Sequence, residues 1–248
     1  MAGPSLAASP IDGTWTVDLR SVSWSGSTID FLVTADTFIQ SQNGHSFTIP
    51  IDGKPHPFTL RPDRFDALAV TQVRADGVDT VAYKAGRPVY VDHWRLGPDR
   101  ATLTETVVDP GPTGELKYQR ILVRQGQPPV GGLAISGSWR RSHMSVGMPG
   151  LVVNAFEDRG DALAWSNGAG MSYLAKFDGT KAPQINDPGQ TLVSVKKISD
   201  HEYVETDWRG GRETDVFTMV VSPDGTTLTT TDDDLRTGAR EIQVAHKP

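Results

Sequence analysis

The sequence predicts an all-β protein: two tandem antiparallel meander domains, each closing into a barrel or a strongly curled sheet. Three observations carry that expectation. A unit of roughly 120 residues is written twice. Within each copy, short alternating runs are separated by turn residues. No run keeps its apolar side chains at helical spacing over a helix-sized length.

The duplication rests on matched segments in the same order. Ile11-Asp12-Gly13-Thr14-Trp15 returns as Ile135-Ser136-Gly137-Ser138-Trp139, and Phe47–Lys54 returns as Tyr173–Thr180. Gly86-Arg87 returns as Gly211-Arg212, Pro98-Asp99 as Pro223-Asp224, and Leu103-Thr104 as Leu228-Thr229, all at offsets of 124 to 126. The expected division is therefore a first domain over 11–126, a Pro/Gly linker over 127–134 and a second domain over 135–247.

The central hairpin is the clearest local element. Val89–Leu96 alternates as a strand, Gly97–Arg100 is a turn, and Ala101–Val108 is the returning strand. The second copy repeats this as Thr214–Val221, Ser222–Gly225 and Thr226–Thr231. Pro223-Asp224-Gly225 supplies the fixed φ and the permissive glycine that a tight turn needs. Tyr118–Arg124 and Arg240–His246 read as closing strands. Even spacing of short strands favours a meander that curls and closes.

Composition excludes several classes. The 248 residues carry a formal net charge of −6, and Trp139-Arg140-Arg141 is the one compact basic spot, so no nucleic-acid partner is expected. Absence of cysteine removes disulfides, thiolate nucleophiles and cysteine-based metal sites. The six histidines are scattered, and neither a phosphate-binding glycine loop nor a dinucleotide fingerprint is present, so neither metal nor cofactor is expected. Asp232-Asp233-Asp234 lacks calcium-loop spacing and reads as a solvated turn. No stretch is long and apolar enough to span a bilayer. Met1–Pro10 lacks the basic and apolar regions of a signal peptide, which fits a cytoplasmic protein as the chain stands, or a periplasmic one if a signal has been removed. Composition leaves the oligomeric state open.

A Gly-x-Trp opening strand followed by an antiparallel meander resembles the calycin group, which includes lipocalins and fatty-acid-binding proteins. The Asp-Gly turns after Phe47–Ile51 and Tyr173–Phe177, and the Ser-Pro-Asp-Gly-x-x-Leu-Thr hairpin at 222–229, more closely resemble small bacterial lipocalin-like proteins. The resemblance implies barrels with an interior cavity for a small apolar or aromatic molecule. It also implies that Trp15 and Trp139 each plug one barrel end. It carries across no catalytic residues.

Candidate site residues come from comparing the copies. Alternation places Tyr90, Asp92, Trp94 and Leu96 on one strand face and Val91, His93 and Arg95 on the other. At offset 125, Asp92 stands where the second copy has Phe217, and His93 where it has Thr218. A carboxylate among aromatics is expensive unless paired, and desolvation raises its pKa toward that of a general acid or base. Asp92, with His93 or Tyr90 as partner, is therefore the catalytic candidate; a carboxylate satisfied by a neighbouring tyrosine is the plainer alternative. Trp24, Trp94, His143, Trp165 and Tyr173 are the ligand-binding candidates. Tyr203, Glu205, Asp207 and Arg209 share a face that reads as solvated, with Trp208 opposite them as core.

These readings predict a small apolar or aromatic molecule held in a barrel cavity, with cofactor-free acid–base catalysis of the isomerase, hydratase, lyase or cyclase type. The alternatives are a carrier without chemistry and a structural or interaction β module without a cavity.

Overall fold

The computed structural model describes residues 8–26, 28–42, 44–58, 65–111, 114–146, 152–187 and 189–248. The expectation for residues 1–7 lies outside them. The described residues form no helix long and apolar enough to cross a membrane. The structure is all-β, with two antiparallel ten-stranded sheets, each nearly closed into a barrel.

The strands are β1 (Gly13–Ser25), β2 (Ile29–Val33), β3 (Thr37–Gln42), β4 (His45–Pro50), β5 (His56–Pro57), β6 (Ala67–Arg74), β7 (Gly77–Lys84), β8 (Arg87–Leu96), β9 (Thr102–Gly111) and β10 (Gly114–Gln125). The second copy supplies β11 (Gly137–Val146), β12 (Val153–Asp158), β13 (Ala162–Asn167), β14 (Ser172–Lys176), β15 (Ala182–Pro183), β16 (Leu192–Ser199), β17 (Glu202–Arg209), β18 (Arg212–Val221), β19 (Thr227–Asp234) and β20 (Ala239–His246).

The sheet order shows an exchange that the sequence did not predict. One sheet, here the first barrel, runs β4-β3-β2-β11-β10-β9-β8-β7-β6-β5. The other, the second barrel, runs β14-β13-β12-β1-β20-β19-β18-β17-β16-β15. Each copy's opening strand thus lies in the sheet built from the other copy. Sheet membership consequently does not follow the division at residues 126 and 135. By compactness, the described residues of 22–148 and 236–241 make one unit, and those of 1–21, 149–235 and 242–248 the other. Both opening strands begin on Gly-x-Trp, a signal that does not distinguish the two sheets, so local chain geometry bears on which strand enters which. β11 follows β10 directly and pairs with it antiparallel from Gln125↔Ser138 to Tyr118↔Val146. Closing that short connection costs less entropy than recruiting β1 from far upstream. The equivalent place in the second barrel is left to β1.

Both opening tryptophans are fully buried and anchored alike. The Trp15 indole N–H donates to the Ile11 carbonyl at 2.7 Å, and that of Trp139 to the Ile135 carbonyl at 3.0 Å. A cation covers each ring: Lys247 Nζ lies 4.7 Å from the Trp15 ring centroid, and the Arg124 guanidinium 4.2 Å from that of Trp139. Gly137 is required here, because a Cβ at that position would collide with the Arg124 guanidinium. The core of the first barrel is a run of touching aromatics, Phe31, Phe38, Phe47, Phe58, Phe65 and Tyr90, with Trp94 packed edge-on against Phe31 at 4.9 Å.

Two expectations about polar segments are overturned. Asp232-Asp233-Asp234 is not a turn but the end of β19, half-buried and paired across to Phe217, Val216 and Asp215. The face of β17 that reads as solvated is turned inward: Tyr203 is fully buried and Asp207 and Arg209 nearly so. Trp208 is instead half-exposed, with Lys181 Nζ 3.3 Å from its ring centroid and its N–H on Ser194 Oγ at 3.0 Å. Alternation had grouped these residues correctly. Which group faced inward followed hydrophobicity in the sequence reading, and the charged interior of the barrel reverses it.

Candidate functional site: a buried ionic set in the first barrel

Strand β8 places Asp92 on the inward face, two residues from Tyr90 and from the buried Trp94. Across the ladder Asp92 pairs with Thr80 of β7, whose hydroxyl hydrogen-bonds its carboxylate. Burial pushes the Asp92 pKa up, and the nearby charge of Glu105 adds to the rise; Arg120 and the Thr80 bond oppose it, leaving a value of about 7.

The neighbouring strands complete the set. Glu105 of β9 is buried and accepts a hydrogen bond from Arg120 Nη1 of β10 at 3.0 Å. Arg120 Nη2 also donates to the Tyr118 hydroxyl at 3.2 Å. Burial works against the Arg120 cation, but Tyr118 and Glu105 outweigh it and hold its pKa above the ordinary arginine value. Arg120 is surrounded by protein, yet 24% of its side-chain surface is accessible.

Arg141 of β11 closes this set. Its guanidinium is enclosed, its Nε is buried without a hydrogen-bond partner, and burial followed by the neighbouring Arg120 charge lowers its pKa. It lines a cleft with Ile29 and Arg140 of its own sheet and with Trp24, Ser25, Gly26 and Ala239, which the same compact unit takes from the end of β1 and the start of β20, enclosing about 280 Å³ of space that is partly open to solvent. The cleft is narrow. Between its walls there is room for about one water molecule, so a larger occupant requires side chains such as Trp24 to move aside. Trp24 is held by its indole N–H on Glu241 Oε2 at 2.8 Å. Gly26 allows the wall to close, since a Cβ there would stand 2.8 Å from the Gly238 carbonyl oxygen.

The other candidates fall in different places. His93 sits beside Asp92 in sequence but on the opposite strand face, with Nδ1 2.8 Å from Asp79 Oδ1; Arg95 Nη2 lies 2.5 Å from the same oxygen. Burial opposes the Asp79 charge, but the His93 and Arg95 contacts hold its pKa below the usual carboxylate range. His143 is exposed, with its Nδ1 3.5 Å from Ser142 Oγ. A β-bulge explains this: Ile121 pairs with His143 but Leu122 with Arg141, so the alternation of β11 reverses between them.

Trp165 and Tyr173 belong to the second barrel, stacked at 5.3 Å with an interplanar angle of 24°. The Tyr173 hydroxyl donates to Glu205 Oε2 at 2.5 Å, and the Trp165 N–H to Asn154 Oδ1 at 3.0 Å. Burial raises the Glu205 pKa and the charge of Asp207 adds to it, while the Tyr173 bond opposes; Tyr173 is raised by burial and then by the Glu205 charge. Asp92, Tyr90, Trp94 and Trp24 thus lie in one unit and Trp165 with Tyr173 in the other.

Thr80, Glu105, Arg120, Arg141 and Glu241 were missed by sequence reasoning. The signal that found Asp92 reaches three of them. At offsets of 124 and 125, Glu105 matches Thr230, Arg120 matches Val244 and Arg141 matches Val17. No protein-family model, curated protein or solved structure matches this chain.

The set can hold and exchange a proton near neutral pH on Asp92, keep a charged pair fixed beside it, and offer an unsatisfied donor on Arg141.

Proposed function

We propose that the chain is a lipocalin-like protein whose first barrel holds a small molecule with an apolar or aromatic body and performs cofactor-free acid–base chemistry on it. The observation that carries this reading is Asp92: an enclosed carboxyl with a pKa of about 7, beside a fixed Glu105–Arg120 pair and above an aromatic core. At neutral pH such a group is present in both protonation states, as a proton donor or acceptor must be. Tyr90 and Trp94, on the same strand face, supply apolar walls. His93 faces away and has no part in this scheme.

The test is solvent exchange at an activated C–H bond. 2-Tetralone in D2O loses its α-protons to a base held in an apolar pocket, and mass spectrometry reads the deuterium gained. The expected result is exchange accelerated by the wild-type chain, with its base-dependent part rising through pH 7, and lost in Asp92→Asn with the fold retained by circular dichroism. Equal acceleration by the two proteins removes Asp92 from the chemistry.

A second reading has its own observation, the narrowness of the cleft. A barrel with a filled interior, in which the ions stabilise one another, is a structural or interaction module. It predicts no exchange above the buffer rate, and no saturable binding of the ketone.

A further inference from the structure

The proposed reading leaves one group unexplained. A buried hydrogen-bonding atom without a partner costs stability, and native proteins satisfy nearly all of them. Arg141 Nε breaks that rule while lining a cleft. Its neighbours are committed elsewhere. Glu105 accepts from Arg120 at 3.0 Å, and Glu241 accepts from Trp24 at 2.8 Å. Arg120 and Arg141 meanwhile repel each other across the interior. Arg140, the next residue, lines the same cleft and is solvent-exposed, so one guanidinium stands at the rim and one inside. Trp24 and Ile29 add an aromatic and an aliphatic wall.

We propose that Arg141 is an anion subsite, and that the ligand of the first barrel carries a carboxylate-type head group, received by the Arg141 guanidinium with its apolar body against Trp24 and Ile29. This deepens the ligand reading above and rests on it. Arginine suits the role because its planar fork of donors matches the two oxygens of a carboxylate. Charge is compatible: Arg120, Arg140 and Arg141 outnumber Glu105 and Glu241 by one, so one further anion is accommodated while Asp92 is protonated. Arg140 at the rim steers that anion inward. The basic pair in the sequence thereby acquires a role, since both residues line one cleft despite adjacent positions on a strand.

The experiment compares two probes of the same shape, 2-naphthoate and the neutral 2-naphthamide, by isothermal titration calorimetry on the full chain at pH 6. The expected result is that the wild-type chain binds the naphthoate at least tenfold more tightly. Arg141→Gln reduces naphthoate affinity to that of the amide without changing the amide's own, and Arg141→Lys keeps part of the preference. Circular dichroism verifies that both variants fold. The wild-type comparison decides the matter even where they do not. Equal wild-type affinities overturn the subsite, leave the cavity reading standing, and mean that water satisfies Nε. Binding of neither probe overturns the subsite and the cavity reading together. A naphthoate preference that survives Arg141→Gln overturns the assignment to this residue.

Discussion

The same rung of the ladder carries a carboxylate in both barrels, but on opposite strands. In the first barrel the rung is Thr80↔Asp92, and in the second it is Glu205↔Phe217, each pair displaced from the other by 125 residues. Where one copy has the acid the other has a neutral residue, so each barrel keeps one carboxyl on this rung rather than two. Their surroundings then diverge. Asp92 has Arg120 close enough to oppose the effects of burial and Glu105, which leaves it near 7. Glu205 is driven well above the ordinary value by burial and then by the charge of Asp207, with Asp232 adding to the rise and the Tyr173 hydroxyl opposing it. One scaffold thus yields a carboxyl poised near neutrality and another held protonated well above its usual range. Neighbouring arginines separate the two cases.

The comparison can be broken first at the two buried opening tryptophans. Trp139→Ala should cost about 3–5 kcal/mol, the usual price of emptying a large core position. Hydrogen exchange should show protection falling across β2–β11 while β12–β19 stay protected, with Trp15→Ala giving the mirror pattern. Loss of protection in the copy that contains the mutated tryptophan would contradict the strand exchange. Next in size is the pH dependence of stability. The folded pKa of Asp92 lies near 7, above its ordinary value of 3.8, so between those limits the native state binds more protons than the unfolded chain. Stability is therefore lost as pH rises through that window. Asp92→Asn does not titrate, so its stability relative to wild type should improve by about 2–4 kcal/mol from pH 4 to pH 8 in urea melts. A difference that does not vary with pH would remove the raised pKa. The smallest expected effect is at His143, turned outward by the bulge: His143→Ala should change stability by less than about 0.5 kcal/mol and leave naphthoate affinity unaltered. A large loss of affinity would put the histidine back in the cleft.

Much of the fold was legible because its signals are local. Alternation, Pro-Asp-Gly turns and the repeated Gly-x-Trp required no knowledge of distant partners. Asp92 was legible for a related reason: a duplicated chain supplies its own comparison, and an acid facing a phenylalanine position stands out. Glu105 and Arg120 escaped because each alone is an ordinary strand residue, and only the register of β8, β9 and β10 brings them beside Asp92. His143 and Arg141 were confused by a single bulge, which an alternation argument cannot anticipate. The exchange of β1 and β11 was invisible for a deeper reason. Both strands open on the same Gly-x-Trp signal, and chain connectivity rather than that signal chooses between them.

That exchange makes each opening strand a keystone. Without β11, the β2–β4 hairpins have no ladder bond to β10, and without β1 the β12–β14 hairpins have none to β20. During synthesis the first barrel must wait for β11, made after its other nine strands are complete. The second waits on β20 to enclose β1, the earliest of the twenty strands. Folding of the second sheet thereby waits until β20 is made, with the slow kinetics that distant pairings impose. A cut in the 127–134 linker would produce two pieces, each carrying the strand the other lacks, so the nicked protein stays assembled while either half alone leaves a sheet open.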